Sequence, residues 1–282
     1  MAYLMLSAIF YAVNNFFWKR MLFKISPLSL IWCRGVFTVI FSSALLHLLG
    51  ISFQEVSSAL SQDGLLYLFA ASCGSLGLFL MVTGLNESSL SHFAFFLVLM
   101  SVMSLFGVSL VNDISITYLL GSFSLITAFI IHSVADLRKF SIQKSSWRFL
   151  IMSLAFTCSG FINWHLVKNY NPFISVWTQE IFLFLLFTIV GLVKGKAHGK
   201  TLKTYWKSLV VFASLILAAT YFGANGLRLT DPLLLCLMGL VSPLFTTILG
   251  SVVLKEKWSS KYYYSFGGVS TFDVTNLYSP KL

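Results

Sequence analysis

The stretch SPLSLIWCRGVFTVIFSSALLHLL, residues 26–49, has a counterpart in NPFISVWTQEIFLFLLFTIVGLV, residues 171–193. Each stretch opens with a residue suited to capping a helix, followed by a Pro suited to the first helical turn. The aligned pairs are Pro27 with Pro172, Trp32 with Trp177, and Phe37 with Phe182. Each stretch has the roughly 20 mostly apolar residues that a spanning helix needs. The two stretches therefore predict two related membrane helices in different parts of one chain.

The similarity continues on both sides of these helices. Before them, Ser7, Phe10 and Trp18 align with Ser153, Phe156 and Trp164. After them, Ser72, Gly84 and Leu85 align with Ser214, Gly226 and Leu227, and Phe79 aligns with Tyr221. Four of the seven tryptophans thus fall into two matched pairs. We interpret the chain as two homologous halves, residues 1–140 and 141–282.

Ten apolar runs are long enough to cross a bilayer, and the loops between them are short. The runs are 2–23, 27–49, 64–85, 90–111, 116–136, 147–168, 173–193, 206–227, 232–254 and 261–278. The longest loops predicted are 50–63, 137–146 and 194–205. Five helices per half is an odd number, so the second half enters the membrane from the opposite side. The expected fold is an all-α membrane protein of ten transmembrane helices, arranged as two inverted five-helix repeats.

Composition agrees with a bilayer protein. Of the 282 residues 57% are hydrophobic and only 10% are charged, whereas soluble domains have roughly 25% charged residues. The net charge of +10 does not indicate a nucleic-acid partner, because the basic residues lie in loops between apolar runs. We expect membrane lipids and a small-molecule substrate as partners, a monomer or homodimer, and location in the bacterial inner (plasma) membrane.

The basic residues are distributed unevenly between the two sides of the membrane. The loops after the first, fifth, seventh and ninth runs carry 15 basic residues, and the loops and termini on the opposite side carry 3. Arg34 is left out of this count because it lies inside a helix. By the positive-inside rule this places residues 194–205 in the cytoplasm and both termini outside it.

The second half also carries motifs near its end. The segments concerned are Gly226-Leu227, Ser242-Pro243-Leu244-Phe245, Gly250, Leu254-Lys255-Glu256-Lys257 and Gly267-Gly268-Val269. Together with Ser26-Pro27 and Arg34, this pattern resembles the EamA-type proteins of the drug/metabolite transporter superfamily. The resemblance implies a transporter whose first, third, fourth, sixth, eighth and ninth helices surround a central cavity. It also implies cytoplasmic termini, against the charge distribution.

The first half departs from the EamA pattern at two places. It has Ser101 where Pro243 aligns, and Asn112-Asp113 replace the Gly-Glu turn. In the second half, Pro243 removes a backbone donor, and we expect a kink there.

Polar residues at helical spacing suggest where a solute binds. Ser7, Tyr11, Asn14 and Trp18 lie on one face of the first helix. The sixth helix repeats this stripe with Ser153, Thr157, Gly160 and Trp164. The stripes are consistent either with the lining of a site or with packing between helices. The predicted substrate-binding residues are Asn14, Asn15, Trp18, Ser72, Ser75, His92, Phe96, Met100, Asn163, Trp164, Tyr221, Asn225, Met238 and Ser242.

Two ionisable residues lie deep within predicted helices. Arg34 is seven residues past Pro27, and Glu180 is eight past Pro172. Buried charges are costly in a membrane unless they are paired or solvated. Two roles remain open for Arg34 and Glu180: a structural ion pair, or a role in proton coupling or in binding substrate charge.

No catalytic motif, cofactor motif or metal-ligand spacing occurs in the sequence. We therefore expect no enzyme activity, cofactor or metal. The leading function is a secondary transporter that moves a small organic solute, an amino acid or related metabolite, by alternating access. The alternative is a non-transporting polytopic membrane protein, either a lipid-acting enzyme or an assembly subunit.

Overall fold

The structure is a computed structural model that describes residues 2–111, 144–195, 198–229, 239 and 241–256. These residues form eight helices. In chain order they are α1 (Ala2–Leu22), α2 (Pro27–Leu48), α3 (Phe53–Glu87), α4 (Leu90–Val111), α5 (Lys144–Asn169), α6 (Pro172–Val193), α7 (Gly199–Leu229) and α8 (Val241–Val252). No strand occurs in the described part of the chain, which confirms the prediction of an all-helical protein.

The two prolines that mark the related stretches each begin a helix, as predicted. α2 starts at Pro27 and α6 starts at Pro172. Before α6, the Asn171 side chain accepts a hydrogen bond from the Phe173 amide at 3.0 Å, which caps the helix. Before α2, Ser26 has extended backbone but its hydroxyl donates to Ser29 instead. The sequence has a third pair of this kind, Asp231-Pro232, which lies outside the described residues.

Residues 50–63 were expected to form a loop, and this prediction was wrong. α3 begins at Phe53, where Ser52 and Glu55 form a reciprocal capping box. Its first turns bury Val56 and Ala59 against the bundle. The helix then bends at Asp63, whose backbone is not helical. Polar residues made this stretch look like a loop, but its buried face holds it as a helix.

The loop predicted at 194–205 is likewise shorter in the structure, because α7 begins at Gly199. The loop at 137–146 lies largely outside the described residues, and α5 begins within it at Lys144.

Glycines allow the closest helix contacts. On α3, a Cβ added at Gly77 would lie 2.8 Å from the Phe156 ring, and one at Gly84 would lie 2.5 Å from the Phe149 ring. The missing side chains let α3 and α5 approach closely. Gly223 and Gly226 have the same role between α7 and α1, where they face Ser7 and Leu4.

The main packing contacts join helices of residues 2–111 to helices of residues 144–252. α1 packs on α7 and on α8, while α5 packs on α3 and on α4. α2 packs on α7, and α6 packs on α3. At the centre, α2 contacts α6 and α4 contacts α8.

The bundle has two ends, each with its own apolar cluster. The basic end contains the α1–α2, α3–α4 and α6–α7 junctions, and its cluster includes Trp18, Leu85 and Phe212. The N-terminal end contains the α2–α3 and α5–α6 junctions, and its cluster includes Leu166 and Phe173.

Five of the described helices, α2, α3, α5, α6 and α7, are long and apolar enough to cross a membrane. The Leu90–Ser104 part of α4 and the whole of α8 are shorter apolar segments. The protein is therefore a multi-pass membrane protein by the length and composition of its helices. The runs 116–136 and 261–278 and part of 232–254 lie outside the described residues, and the count of ten spans stays a prediction.

Candidate functional site

A cavity of about 420 Å³ lies inside the bundle. All eight described helices except α2 contribute several residues to its wall, and α2 contributes Arg34. The wall runs from Trp18, near the basic end, to Leu4, Val167 and Leu227, close to the N-terminal end. Its volume is in the range of small-molecule sites.

Nine of the predicted residues meet at this cavity. They are Asn14, Asn15, Trp18, Arg34, Met100, Asn163, Trp164, Glu180 and Ser242. They come from both halves of the chain, from positions as far apart as residues 14 and 242. The α1 and α5 stripes also supply Ser7, Tyr11, Thr157 and Gly160.

Six predicted residues lie away from the cavity wall among the described residues, and the contacts of three explain why. The Ser72 hydroxyl donates back to the Leu68 carbonyl, and the Asn225 amide donates to the Tyr221 carbonyl, each one turn earlier in its own helix. His92 is 3.1 Å from the Ser146 hydroxyl. The remaining members of this group are Ser75, Phe96 and the Tyr221 ring, which contacts Phe173 and Phe222. Met238 lies outside the described residues.

Sequence reasoning missed several lining residues. Gln179 lines the cavity, and its side-chain nitrogen would lie 2.6 Å from a Cβ added at Gly74. Its alignment with Arg34 was a signal that could have identified it. Ser159 and Ser175 also line the cavity, together with apolar residues. The apolar lining residues had no signal in the sequence, because an apolar residue that faces a cavity resembles one that faces lipid. They include Leu78, Met81, Phe93, Leu97 and Leu183.

The α1 stripe is divided between packing and the cavity. The Ser7 hydroxyl donates to the Ala219 carbonyl at 2.8 Å, tying α1 to α7. The Asn15 amide donates to the Thr246 hydroxyl at 3.3 Å, tying α1 to α8. Asn14 is 2% exposed, and its Oδ1 is buried without a hydrogen-bond partner in the described structure.

Arg34 and Glu180 form a buried ion pair between α2 and α6, in which Arg34 Nη2 donates to Glu180 Oε2. The Thr38 hydroxyl donates to the same oxygen at 2.8 Å. The guanidinium carbon also lies 5.8 Å from the centroid of the Trp18 ring, within cation–π range. The pair joins the two halves of the chain, and both of its residues lie at the cavity wall.

Trp18 and Trp164 differ in their surroundings despite being aligned in the repeat. Trp18 is completely buried, and its ring meets Phe212 edge-on with centroids 4.6 Å apart. Trp164 is half-buried, with the Lys168 ammonium 5.1 Å from its ring centroid. Neither indole N–H has a hydrogen-bond partner among the described residues.

Two charged side chains hold the helix junction at the basic end. The Lys19 ammonium donates to the Leu85 carbonyl at 2.8 Å and to the Ser88 carbonyl at 2.6 Å, at the end of α3. Glu256 accepts from the Leu90 and Ser91 amides at 2.8 and 3.0 Å, at the start of α4. Each charge has the sign that stabilises its helix end. We call this arrangement the Lys19–Glu256 clamp.

The clamp explains part of the motif at the end of the second half. A Cβ added at Gly250 would lie 3.0 Å from the Glu256 carboxylate, so a glycine makes room for it. Lys255 adopts a left-handed backbone, with φ of 54°, in the turn that brings the carboxylate back to α4. Gly250 and Glu256 thus act together in the contact between the Glu256 carboxylate and the start of α4.

We expect Glu256→Ala to lower the stability of the protein by about 1 to 2 kcal/mol, because the start of α4 loses its cap. The matched control is Glu87→Ala, whose carboxylate pairs with Arg148 but is 46% exposed. The control should cost less than about 1 kcal/mol. Melting curves of the purified variants test this, and equal losses would contradict the capping role.

Comparison with solved structures supports the fold. One crystal structure, described only as that of a protein, matches with a TM-score of 0.67 at 11% sequence identity, covering 98% of this chain and 99% of that one. At this identity the likeness shows the fold alone. No family model matches the sequence, and no curated protein matches it.

Proposed function

We propose that the protein is a secondary transporter that moves a small organic solute across a membrane by alternating access. The observation that carries this proposal is the cavity of about 420 Å³, lined by polar groups from both halves of a membrane bundle. Solute sites between the repeats of such bundles are typical of secondary transporters. We expect an amino acid or related metabolite as the substrate.

The architecture proposed is ten transmembrane helices in two inverted repeats, residues 1–140 and 141–282. The helix pairs described above support it. Exchanging α1 with α5, α2 with α6, α3 with α7 and α4 with α8 leaves the α2–α6 and α4–α8 pairs unchanged and turns each of the other pairs into another observed pair.

A reciprocal pair of hydrogen bonds supports the same symmetry. The Trp32 indole donates to Thr188, and the Trp177 indole donates to Ser43, both at 3.0 Å. The register that aligns Trp32 with Trp177 also aligns Ser43 with Thr188. The α2-to-α6 bond and the α6-to-α2 bond are therefore equivalent, as expected if a twofold axis lies between the two helices.

We further propose membership of the EamA-type proteins of the drug/metabolite transporter superfamily. The support is the motif at the end of the second half, in which Gly250 and Glu256 act together at the clamp.

Positive charges suggest the orientation. The sequence segments that carry 15 of the basic residues include Lys19, Lys194 and Lys200, which lie at the basic end, so we propose that this end is cytoplasmic. The cavity wall reaches toward the opposite, N-terminal end, and the clamp lies at the basic end. We propose that this arrangement is open away from the cytoplasm, in a bacterial inner membrane.

We expect that Gly199→Cys, in a variant without other cysteines, resists an impermeant thiol reagent in intact cells. Gly199 is exposed at the start of α7, at the basic end. Its labelling after permeabilisation is the control for reactivity. Rapid labelling in intact cells would place the basic end outside and contradict the charge argument.

A thermal-shift screen of the purified protein tests the transport function. A soluble solute that binds the folded state raises the melting temperature, and the same solute should then be taken up or released by proteoliposomes. Stabilisation by lipids alone, with no soluble solute active, would instead support a non-transporting lipid-acting enzyme or assembly subunit.

A further inference from the structure

The helices form two bodies that do not coincide with the two halves of the chain. The first, which we call the α1 body, consists of α1 with α7 and α8 packed on it. The second, the α5 body, consists of α5 with α3 and α4 packed on it. α2 and α6 pack against each other, and they also pack on α7 and α3 respectively. Each body therefore combines helices from both halves.

Buried hydrogen bonds hold each body together. In the α1 body, the Ser7 and Asn15 side chains of α1 donate to α7 and α8. In the α5 body, the Ser159 and Ser153 hydroxyls of α5 donate to backbone carbonyls of α3 and α4, both at 2.9 Å. Close packing and interhelical hydrogen bonds are what associate helices in a membrane. We therefore expect each body to move as a unit.

The α2–α6 pair links the two bodies along its length. The Arg34–Glu180 ion pair lies between two hydrogen bonds, one donated by Trp32 near the basic end and one donated by Trp177 nearer the N-terminal end. Contacts spread in this way keep two helices together while their neighbours tilt. The α2–α6 pair is therefore suited to be the pivot between the bodies.

The Lys19–Glu256 clamp connects the two bodies at the basic end. Lys19 belongs to the α1 body, and it donates to the Leu85 and Ser88 carbonyls where α3 of the α5 body ends. Glu256 follows α8 of the α1 body, and it accepts from backbone amides at the start of α4 in the α5 body. Both charges must leave these partners before the basic ends of the two bodies can separate.

At the N-terminal end, the repeat has His165 in the position of Lys19. The His165 ring lies 3.2 Å from the Asn169 amide, one turn later in α5 itself. Nearby, the Tyr170 hydroxyl donates to the Asp63 carboxylate of α3 at 2.7 Å, a bond that stays with the α5 body. Among the described residues, these side chains do not join the α1 body to the α5 body. The clamp is thus asymmetric, and it favours closure of the basic end.

We propose that the Lys19–Glu256 clamp is the gate of the carrier at the basic end. Its release lets the α1 body and the α5 body pivot on the α2–α6 pair, so that the cavity opens toward the basic end. This inference rests on the transport function proposed above and assigns the moving bodies and one gate of that carrier. Removing either charge of the clamp shifts the equilibrium toward the state that is open at the basic end.

The first test measures access to a cysteine in the cavity from each side of the membrane. Ser101→Cys, in a variant without other cysteines, places a thiol at the cavity wall. Gly199→Cys, exposed at the start of α7, marks the side that reaches the basic end. Vesicles of both orientations are treated with an impermeant thiol reagent. With the clamp intact, Ser101→Cys should react about tenfold faster from the side opposite the basic end.

Removing the charge of either clamp residue should raise the labelling rate from the basic end by about tenfold, because the closed state loses charge-assisted hydrogen bonds. The variants are Glu256→Gln and Lys19→Met, each combined with Ser101→Cys. Glu87→Gln is the matched control at the same end of the bundle. Glu87 pairs with Arg148, and both belong to the α5 body, so losing this pair should leave the labelling rate unchanged.

A distance measurement on the purified protein tests the movement itself. Phe23→Cys, directly after α1, and Trp147→Cys, in α5, place spin labels on the two bodies at the basic end, and both native side chains are exposed. Double electron–electron resonance should show a single distance with the clamp intact and an additional, longer distance in Glu256→Gln. The same labels in Glu87→Gln should keep the single distance.

The outcomes separate the gate from the function on which it rests. With the clamp intact, labelling of Ser101→Cys that is equal from both sides, or faster from the basic end, would overturn the gate. Folded clamp variants with unchanged labelling and distances would overturn it too, whereas uptake of a soluble solute by their proteoliposomes would leave the carrier intact. Clamp variants that do not fold would limit the contact to structure and reject the gate. Stabilisation by lipids alone, with no labelling of Ser101→Cys from either side, would reject the carrier itself.

Discussion

Replacing Arg34 by Met should destabilise the protein by about 3 to 5 kcal/mol, because the Glu180 carboxylate loses its counter-ion inside the bundle. The two residues are 2% and 4% exposed, so little solvent is available to compensate the unpaired carboxylate. Thr38 remains as a hydrogen-bond donor to Glu180 but carries no charge. Melting curves in detergent, together with yield of folded protein, measure the loss.

The double variant Arg34→Met/Glu180→Met separates the structural role of the pair from its role in binding. Two apolar side chains of similar size can replace a buried ion pair at little cost or even a gain, so stability should largely return. Solute binding should not return, because the two charges at the cavity wall are gone. A double variant that is stable and binds at wild-type affinity would limit the pair to structure.

Replacing Trp18 by Ala should also cost about 3 to 5 kcal/mol, as expected for the largest truncations in a packed core. The ring is completely buried against Phe212 and lies beside the Arg34 guanidinium. Truncation therefore removes both packing and a cation–π contact. A melting temperature close to that of the wild type would contradict this packing role.

Trp164→Ala should instead keep most of the stability and weaken solute binding, because this ring is half-buried at the cavity wall. Trp206→Ala is the matched control, since Trp206 is 51% exposed and does not line the cavity. Binding isotherms paired with melting curves distinguish the two tryptophans. The repeat aligns these two tryptophans and does not distinguish them, whereas their neighbours in the structure do.

Much of the fold follows from features that can be read directly in one segment. Pro27 and Pro172 mark two helix starts, and uninterrupted apolar residues mark the spanning helices. The first part of α3 was not predicted as a helix, because the burial of Val56 and Ala59 depends on helices far away in sequence. The thickness of the bilayer sets the length of an apolar spanning run, but it does not predict the structure of polar stretches between such runs.

Only part of the candidate site could be predicted from the sequence. Polar residues such as Asn14 and Glu180 stand out in apolar helices, because lipid would not accept them. Ser72 and Asn225 stand out equally, yet they bond to the preceding turn of their own helix. Whether a polar side chain faces the cavity depends on how its helix is rotated about its own axis. The hydrophobic pattern of a single, almost uniformly apolar helix does not determine that rotation.

The Lys19–Glu256 clamp has a consequence for how the chain is made. Synthesis proceeds from the N-terminus, so α3 and α4 leave the ribosome long before Glu256 exists, while Lys19 is already present to hold the end of α3. The start of α4 therefore receives its cap only after a residue 166 positions later in the chain has been made. The contact that caps the start of α4 is thus completed only when most of the second half has been made.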